Sequence, residues 1–353
     1  MASSNVVIAG TTYPSVPAVT LVKSGGGTST FTDVSDTTAA AADVAQGKYF
    51  YTAAGVKTEG TASGGSVTPP ETPTDAVIFY SIEPFTLRTR NFAQNWDGTL
   101  QYSTNNSSWS TWGGTTILTA VQSDGWYKLY LRGSSNTRLT GSSGNGKRWV
   151  FSGNAIVCKG NFQNLLNYNS TLISRLSVYA FQYLFAYCGN IDFDIELPFT
   201  SLNGYCYNYM FMNCSSLLKA PRLPATTVPN YAYSYMFAHC DALKIPPALP
   251  ATTLGTYSYN YMFYNCQSLE AIPVIKATNL PNYCCSYMFY DTNAVKISTT
   301  QSSAYPYSYR IPHEGEGTAG TGSLTAMFSG NGGTFTGTPT INTTYYTSNT
   351  VIS

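Results

Sequence analysis

A multidomain, β-rich chain ending in an α/β solenoid of 26-residue period is the fold class the sequence predicts, on three observations. The first is an internal repeat: Phe185, Phe211, Phe237, Phe263 and Phe289 recur every 26 residues without a gap. A fixed period with one apolar set per copy marks units that bury their faces only by stacking on one another. The second is composition. Charged residues make up 10% of the 353-residue chain, against roughly a quarter in ordinary soluble proteins, and Thr, Ser, Asn, Gly and 29 tyrosines take their place, which suits extended, weakly charged surfaces. The third is punctuation: short alternating apolar and polar runs are separated by Gly, Asn and Pro clusters, the pattern of hairpin-linked strands.

Taken in order, residues 1–62 form a small N-terminal β segment. NVVIAG and VPAVTLV read as strands, Asp36 or Thr37 caps a short alanine-rich helix that Gly47 ends, and KYFYTAAGVKTEG reads as a hairpin turning near Gly55. Residues 63–75 are a Gly/Ser then Pro-rich linker, flexible first and stiffer afterwards. Residues 76–145 hold Trp96, Trp109, Trp112 and Trp126 among FTLRTRNF, TLQYSTN, WSTWGG and GWYKLYLRG, the strands of a Trp-rich β-sandwich. Residues 146–353 are the solenoid with its C-terminal cap, its first turn starting at RWVFSGNAIVCKGNF.

Within one copy, Leu202, Cys206, Met210 and Cys214 fall four apart, which predicts a short helix with an inward face. The alternation of Tyr205, Tyr207 and Tyr209 offers a rival strand reading; the small column Cys206, Ala232, Ser258 and Cys284 favours close packing and the helix. LLKAPRLP then reads as a strand whose copies ladder along the solenoid, and Ala-Thr-Thr as the turn onward. Met327-Phe328, 39 residues beyond Phe289, looks like a degenerate last turn covered by TGTPTINTTYYTSNTVIS.

The copies converge on CYxYMFxNCxSLxxxPxLPATTLPN, which resembles the BspA-like, DUF285-type leucine-rich repeats of bacterial surface proteins and of bacteriophage and prophage proteins, over about residues 178–295. The chain departs from that pattern at Thr292, where cysteine is lost, and at ELPFTSL, which lacks the Ala-Thr-Thr turn; first and last copies are where capping is expected. GTTYPSVPAVTL with SDTTAAAADVAQGKYFYTAAGVKTEGT is similar to the N-terminal segment of phage tail and fibre proteins. That likeness implies a virion anchor, and many phage fibres are homotrimers.

The sharpest catalytic pairing is His239-Cys240. A nucleophile is needed once, however, whereas Cys188, Cys214, Cys240 and Cys266 recur on the 26-residue clock, the behaviour of a small packing residue. Cys284-Cys285 lacks metal-ligand spacing, and GSSGNGKR fails the phosphate-loop pattern because Arg148 follows Lys147. Asp192, Asp194 and Glu196 alternate along one strand, as a solvated face, as ligands for Ca²⁺ or as the acid/base residues of a glycosidase. No catalytic, cofactor or metal residue is therefore assigned. Solenoids present binding surfaces from columns that vary between copies. Here these are Met212, Ala238, Tyr264 and Tyr290; Asn213, His239, Asn265 and Asp291; and Leu218, Lys244 and Glu270, with the row Tyr207, Tyr233 and Tyr259 beside them.

The formal net charge of +1, with Lys and Arg scattered, supplies no field for nucleic acid. No run of 18 apolar residues predicts membrane insertion, and MASSNVVIAG lacks a signal-peptide pattern. Eight cysteines without such a signal fit synthesis in a reducing host cytoplasm. The expectation is a non-enzymatic bacteriophage virion structural protein, tail or fibre, exposed on the particle, held to other virion proteins through residues 1–62 and adhering to a host or mucosal glycan or surface protein. Its alternatives are a capsid decoration or head-fibre protein, a bacterial surface adhesin, and a polysaccharide depolymerase acting through Asp192, Asp194 or Glu196.

Overall fold

The computed structural model of the protein describes residues 69–353 apart from 142–143, 170–172 and 174, together with the backbone of six strands ahead of them. Those strands, β1 (Ser4–Ile8), β2 (Thr11–Val16), β3 (Ala18–Val22), β4 (Thr28–Thr32), β5 (Tyr49–Tyr51) and β6 (Lys57–Glu59), pair antiparallel as β1-β2, β3-β4 and β5-β6. The last pair is the hairpin expected in KYFYTAAGVKTEG. The alanine-rich helix expected between Asp36 and Gly47, and the side chains that would anchor residues 1–62, lie outside the described residues. The chain forms two compact units, Met1–Pro69 and Pro70–Ser353.

The second unit is β-rich with almost no helix, and none of its sheets closes into a barrel. It opens with β7 (Val77–Ser81), β8 (Thr86–Thr89), β9 (Thr99–Ser103), β10 (Ser110–Thr111), β11 (Leu118–Thr119), β12 (Val121–Ser123), β13 (Trp126–Ser134), β14 (Trp149–Ser152), β15 (Ile156–Asn161) and β16 (Ile191–Glu196). One sheet runs β10-β9-β13-β7-β15-β16 with β12 on β13; a second runs β11-β8-β14. The continuous apolar run VIFYS of β7 is buried along its whole length, as a central strand demands. Asp124 and Gly125 both take positive φ between β12 and β13, the two-residue hairpin for which Asp-Gly is suited. The sheets draw strands from both sides of residue 145. Trp149 packs edge-on against Phe185 at 5.6 Å, and β15 lies parallel to β16, so Trp149 and β15 stand to the first copy as each copy stands to the next.

The helix expected in every copy is not there. Among the described residues the one α-helix is α1 (Gln163–Asn167). The segment carrying Leu202, Cys206, Met210 and Cys214 is a train of overlapping tight turns instead. The physical reason is a left-handed residue at every fourth position: Tyr205, Tyr209 and Asn213 have φ of 60°, 59° and 61°, and one such residue ends an α-helix. Alternate backbone donors then part ways. Tyr207, Tyr209 and Phe211 donate N–H to the carbonyls of Ala232, Ser234 and Met236 in the next copy, at 3.0–3.1 Å. Asn208, Met210 and Met212 donate back three residues, to Tyr205, Tyr207 and Tyr209. Each of these buried donors is paired. The four-residue recurrence mimics a helical stripe, and the alternate ladder to the neighbour mimics a strand.

The same left-handed columns run through 179/183/187, 231/235/239, 257/261/265 and 283/287/291. In the segment around Met327-Phe328 they fall on Gly322, Ala326 and Gly330, and Cys285 and Phe289 donate to Ser323 and Met327. Inside, Phe185, Phe211, Phe237, Phe263, Phe289 and Phe328 stack at 5.5–6.0 Å, part of one continuous core from Val77 to Tyr345. The extended segments pair sparsely: Lys219 bridges Ile245, and Thr227–Val228 lies parallel to Thr253–Leu254. The longer spacing before the last turn supplies Tyr307–Ile311, which pairs with Thr343–Thr347, so that Tyr309, Phe335 and Tyr345 close over Phe328.

Candidate binding surface

Cysteine is fixed by the backbone rather than by reactivity. The Cys214, Cys240 and Cys266 thiols point at the carbonyls of Phe185, Phe211 and Phe237, at 3.3, 3.1 and 3.0 Å. Thr292, the one departure in the column, donates its hydroxyl to the matching Phe263 carbonyl at 2.9 Å. The column therefore calls for a small buried donor, which thiol and hydroxyl both supply. Burial holds the Cys240 thiol well above its usual range, with Cys214 and Cys266 adding to the effect, and pushes Cys188 up to about 12. A thiol kept protonated in this way is not a nucleophile. His239 has its own partners, Asn265 Nδ2 at 2.9 Å from its Nδ1 and the Tyr264 ring edge-on at 4.7 Å.

Two aromatic ladders run along the outside of the copies. Tyr183, Tyr209, Tyr235, Tyr261 and Tyr287 stack nearly plane on plane at 4.4–4.6 Å, and Tyr179, Tyr205, Tyr231, Tyr257 and Tyr283 stack at 4.6–5.2 Å. All ten are half-buried and left-handed, so the backbone turn that aims them outward is itself repeated. Burial first, and neighbouring tyrosines second, raise the Tyr209 and Tyr235 hydroxyls above their ordinary range.

The structure redistributes the residues read as exposed. Met212 is a correction: it is 8% exposed and sits with Ala186 and Ala238 beneath the first ladder, packed against Tyr183, Tyr209 and Tyr235. The row Tyr207, Tyr233 and Tyr259 is a second correction, because it does stack, at 5.7 and 6.1 Å, but each member is 1% exposed in the core. Asn213, His239 and Asn265 are half-buried and left-handed, and Asp291 is left-handed and exposed. Lys244 and Glu270 are exposed and form an ion pair at 2.8 Å, a pairing of modest energy at a surface. Tyr264 and Tyr290 come together at 5.7 Å. The ladder built on Tyr183 to Tyr287 keeps the same 26-residue spacing in the sequence, which is the signal for it.

Of the carboxylates, Asp192 is half-buried, Asp194 is exposed 3.7 Å from Lys159, and Glu196 accepts from Asn161 at 3.2 Å. Asp194 and Glu196 line a cleft of about 450 Å³ with Asn161 and Thr72 to Thr74. Among the described residues no three His, Cys, Asp or Glu side chains gather as a metal site, and no helix is long and apolar enough to cross a membrane. Compared with known families, curated proteins and solved structures, the chain matches none of them.

Proposed function

We propose that the protein is a non-enzymatic structural component of a bacteriophage virion, a tail or fibre protein whose stacked copies form a BspA-like leucine-rich-repeat solenoid of 26-residue period. Residues 1–62 attach it to other virion proteins, residues 63–75 act as the linker, the Trp-rich sheets lead into the solenoid, and the outer face of the copies adheres to a host or mucosal glycan or surface protein. The chain is made in the host cytoplasm and assembles as a homotrimer.

The observation that carries this reading is the division of labour within a copy. Five copies repeat the same left-handed columns, ring stacks and donor-to-carbonyl bonds, while the residues beside the outer ladder change from Ala and Met to Tyr. A constant scaffold with local variation on a tyrosine-lined face is how repeat proteins make recognition surfaces, and tyrosine gives contact area at little entropic cost. The depth of the stack also favours a rigid spacer over a mobile catalytic cleft.

Immunogold labelling of purified particles tests the assignment. Label on tail or fibre is expected, and deletion of residues 1–62 is expected to abolish incorporation. Label on the shell would move the protein to capsid decoration. Particles without label would overturn the virion reading, and glycan cleavage that is lost when Asp192, Asp194 and Glu196 become alanine would overturn the non-enzymatic one.

A further inference from the structure

The two outer ladders differ from a flat aromatic platform in one respect that decides what they bind. Rings of Tyr183, Tyr209, Tyr235, Tyr261 and Tyr287 lie 4–16° from parallel, so each interior ring has both faces covered by its neighbours. It shows solvent an edge and a hydroxyl, and no face is left for a ligand to stack on.

The arrangement changes at the fourth and fifth copies. The adjoining column reads Ala186, Met212, Ala238, Tyr264, Tyr290; the first three are buried and the two tyrosines are half-buried. Tyr264 stands at 86° to Tyr261, and Tyr290 at 60° to Tyr287. Both rings are thus turned across the ladder. In the last turn the corresponding positions are Ala326, Ser329 and Gly330, which carry no ring, and a Cβ on Gly330 would lie 3.1 Å from the Asp291 backbone. The aromatic surface ends in a step there, leaving Tyr287 and Tyr290 without a ring on the far side.

Amide groups and a carboxylate stand beside this step. Asn265 bridges His239 and Gln267, Gln267 also donates to the Asp291 carbonyl at 2.6 Å, and the Asp291 side chain is exposed. In the column that holds Lys244, Glu270 and Lys296, Lys244 is paired with Glu270 at 2.8 Å and Lys296 is exposed in the fifth copy. Half-buried rings turned across the ladder, amides that donate and accept, and a carboxylate that accepts from hydroxyls fit a neutral polyhydroxylated ring. Its C–H face lies against the negative face of the phenol ring, and its hydroxyls meet the amide and carboxylate groups.

We infer that Tyr264 and Tyr290, with Asn265, Gln267 and Asp291, form a binding site for a neutral oligosaccharide at the C-terminal end of the outer ladder. The site rests on the adhesion reading and assigns it a place and a ligand class. The two ring centroids are 5.7 Å apart and their planes 45° apart.

The test is binding of the full-length protein to a printed array of neutral glycans, followed by calorimetry with the best array hit. Tyr264→Ala and Tyr290→Ala install the residue that the first and third copies already carry at Ala186 and Ala238, so folding is expected to survive, checked by an unchanged melting profile. Each is expected to weaken binding at least tenfold. Tyr264→Phe keeps the ring and is expected to stay within about threefold, which separates loss of a stacking face from loss of a hydroxyl. Undiminished binding by both alanine variants, or no neutral glycan bound, overturns the site. Protease-sensitive attachment of the wild-type protein to host cells, with no neutral glycan bound, would sink the site and leave adhesion standing. Glycan binding through Tyr264 and Tyr290 by a protein absent from particles would sink the virion reading and leave the site.

Discussion

Replacing Tyr233 by phenylalanine should make the protein more stable. The Tyr233 ring stacks between Tyr207 at 5.7 Å and Tyr259 at 6.1 Å, and the three buried hydroxyls find no hydrogen-bond partner among the described residues. A buried hydroxyl with no partner carries its desolvation cost uncompensated, roughly 1–3 kcal/mol. The ring contacts survive the change, and the first copy already places Phe181 in this column, stacked on Tyr207 at 12°. Tyr233→Phe is therefore expected to add about 1 kcal/mol. The triple change at Tyr207, Tyr233 and Tyr259 is expected to add about 2–3 kcal/mol, less than three times the single effect if neighbouring sites couple. Urea unfolding measures this as a rise in midpoint with unchanged slope. Tyr309→Phe is the control of opposite sign: its hydroxyl donates to the Pro273 carbonyl at 3.0 Å, and losing that bond should cost about 1 kcal/mol. A loss of stability of 1 kcal/mol or more in Tyr233→Phe would refute the reasoning, because the hydroxyl would then have to be making a bond that its burial depends on.

Three further outcomes follow from the same packing. All eight cysteines are free and buried, so a thiol reagent should label none at native pH and all eight after denaturation; fast native labelling of Cys240 would contradict its place in the core. Burial raises the thiols of Cys158, Cys206, Cys214, Cys240 and Cys266 in the folded state. A raised folded value means that stability is fully present below the unfolded value of about 8.5 and is lost as pH climbs toward the folded one, by about 2 kcal/mol per thiol at pH 10. A handful of such thiols offsets an ordinary folding free energy, so melting temperature should fall steeply above pH 9, and a flat profile to pH 11 would show that the core does not hold them. At Gly322, where φ is 64°, an added Cβ would collide with the Tyr283 ring. Gly322→Ala should cost about 1–2 kcal/mol from the left-handed backbone alone, while Ala326→Gly, at φ 51°, should gain about 0.5–1 kcal/mol. Equal signs for the two in thermal unfolding would disprove the column assignment.

How far the sequence speaks for this molecule depends on which bond a residue serves. The core was legible: Phe and Cys columns recur because each must touch its own image 26 residues on, and contact between identical positions preserves the period in the letters. The backbone was not. Tyrosine at positive φ opposes ordinary propensity, and a left-handed residue every four positions leaves nearly the same stripe as a helix turning every 3.6. One column did carry the signal. Tyr187, Asn213, His239, Asn265, Asp291 and Gly330 are, after the first, residue types that tolerate the left-handed region, and every one of them adopts it.

That column changes the meaning of variation along the surface. Asn, His, Asp and Gly looked interchangeable because they faced solvent, yet what they share is tolerance of one dihedral, so their differences report a backbone constraint before any ligand. The neighbouring column is under the opposite pressure. Ala186, Met212 and Ala238 fit beneath the ladder, and a tyrosine in the same place cannot lie flat between rings 4.4–4.6 Å apart. Tyr264 and Tyr290 must therefore stand across it. A substitution that the packing does not absorb has to be housed in solvent or against a partner, and it is this change, rather than variability as such, that separates the end of the ladder from the rest of the face.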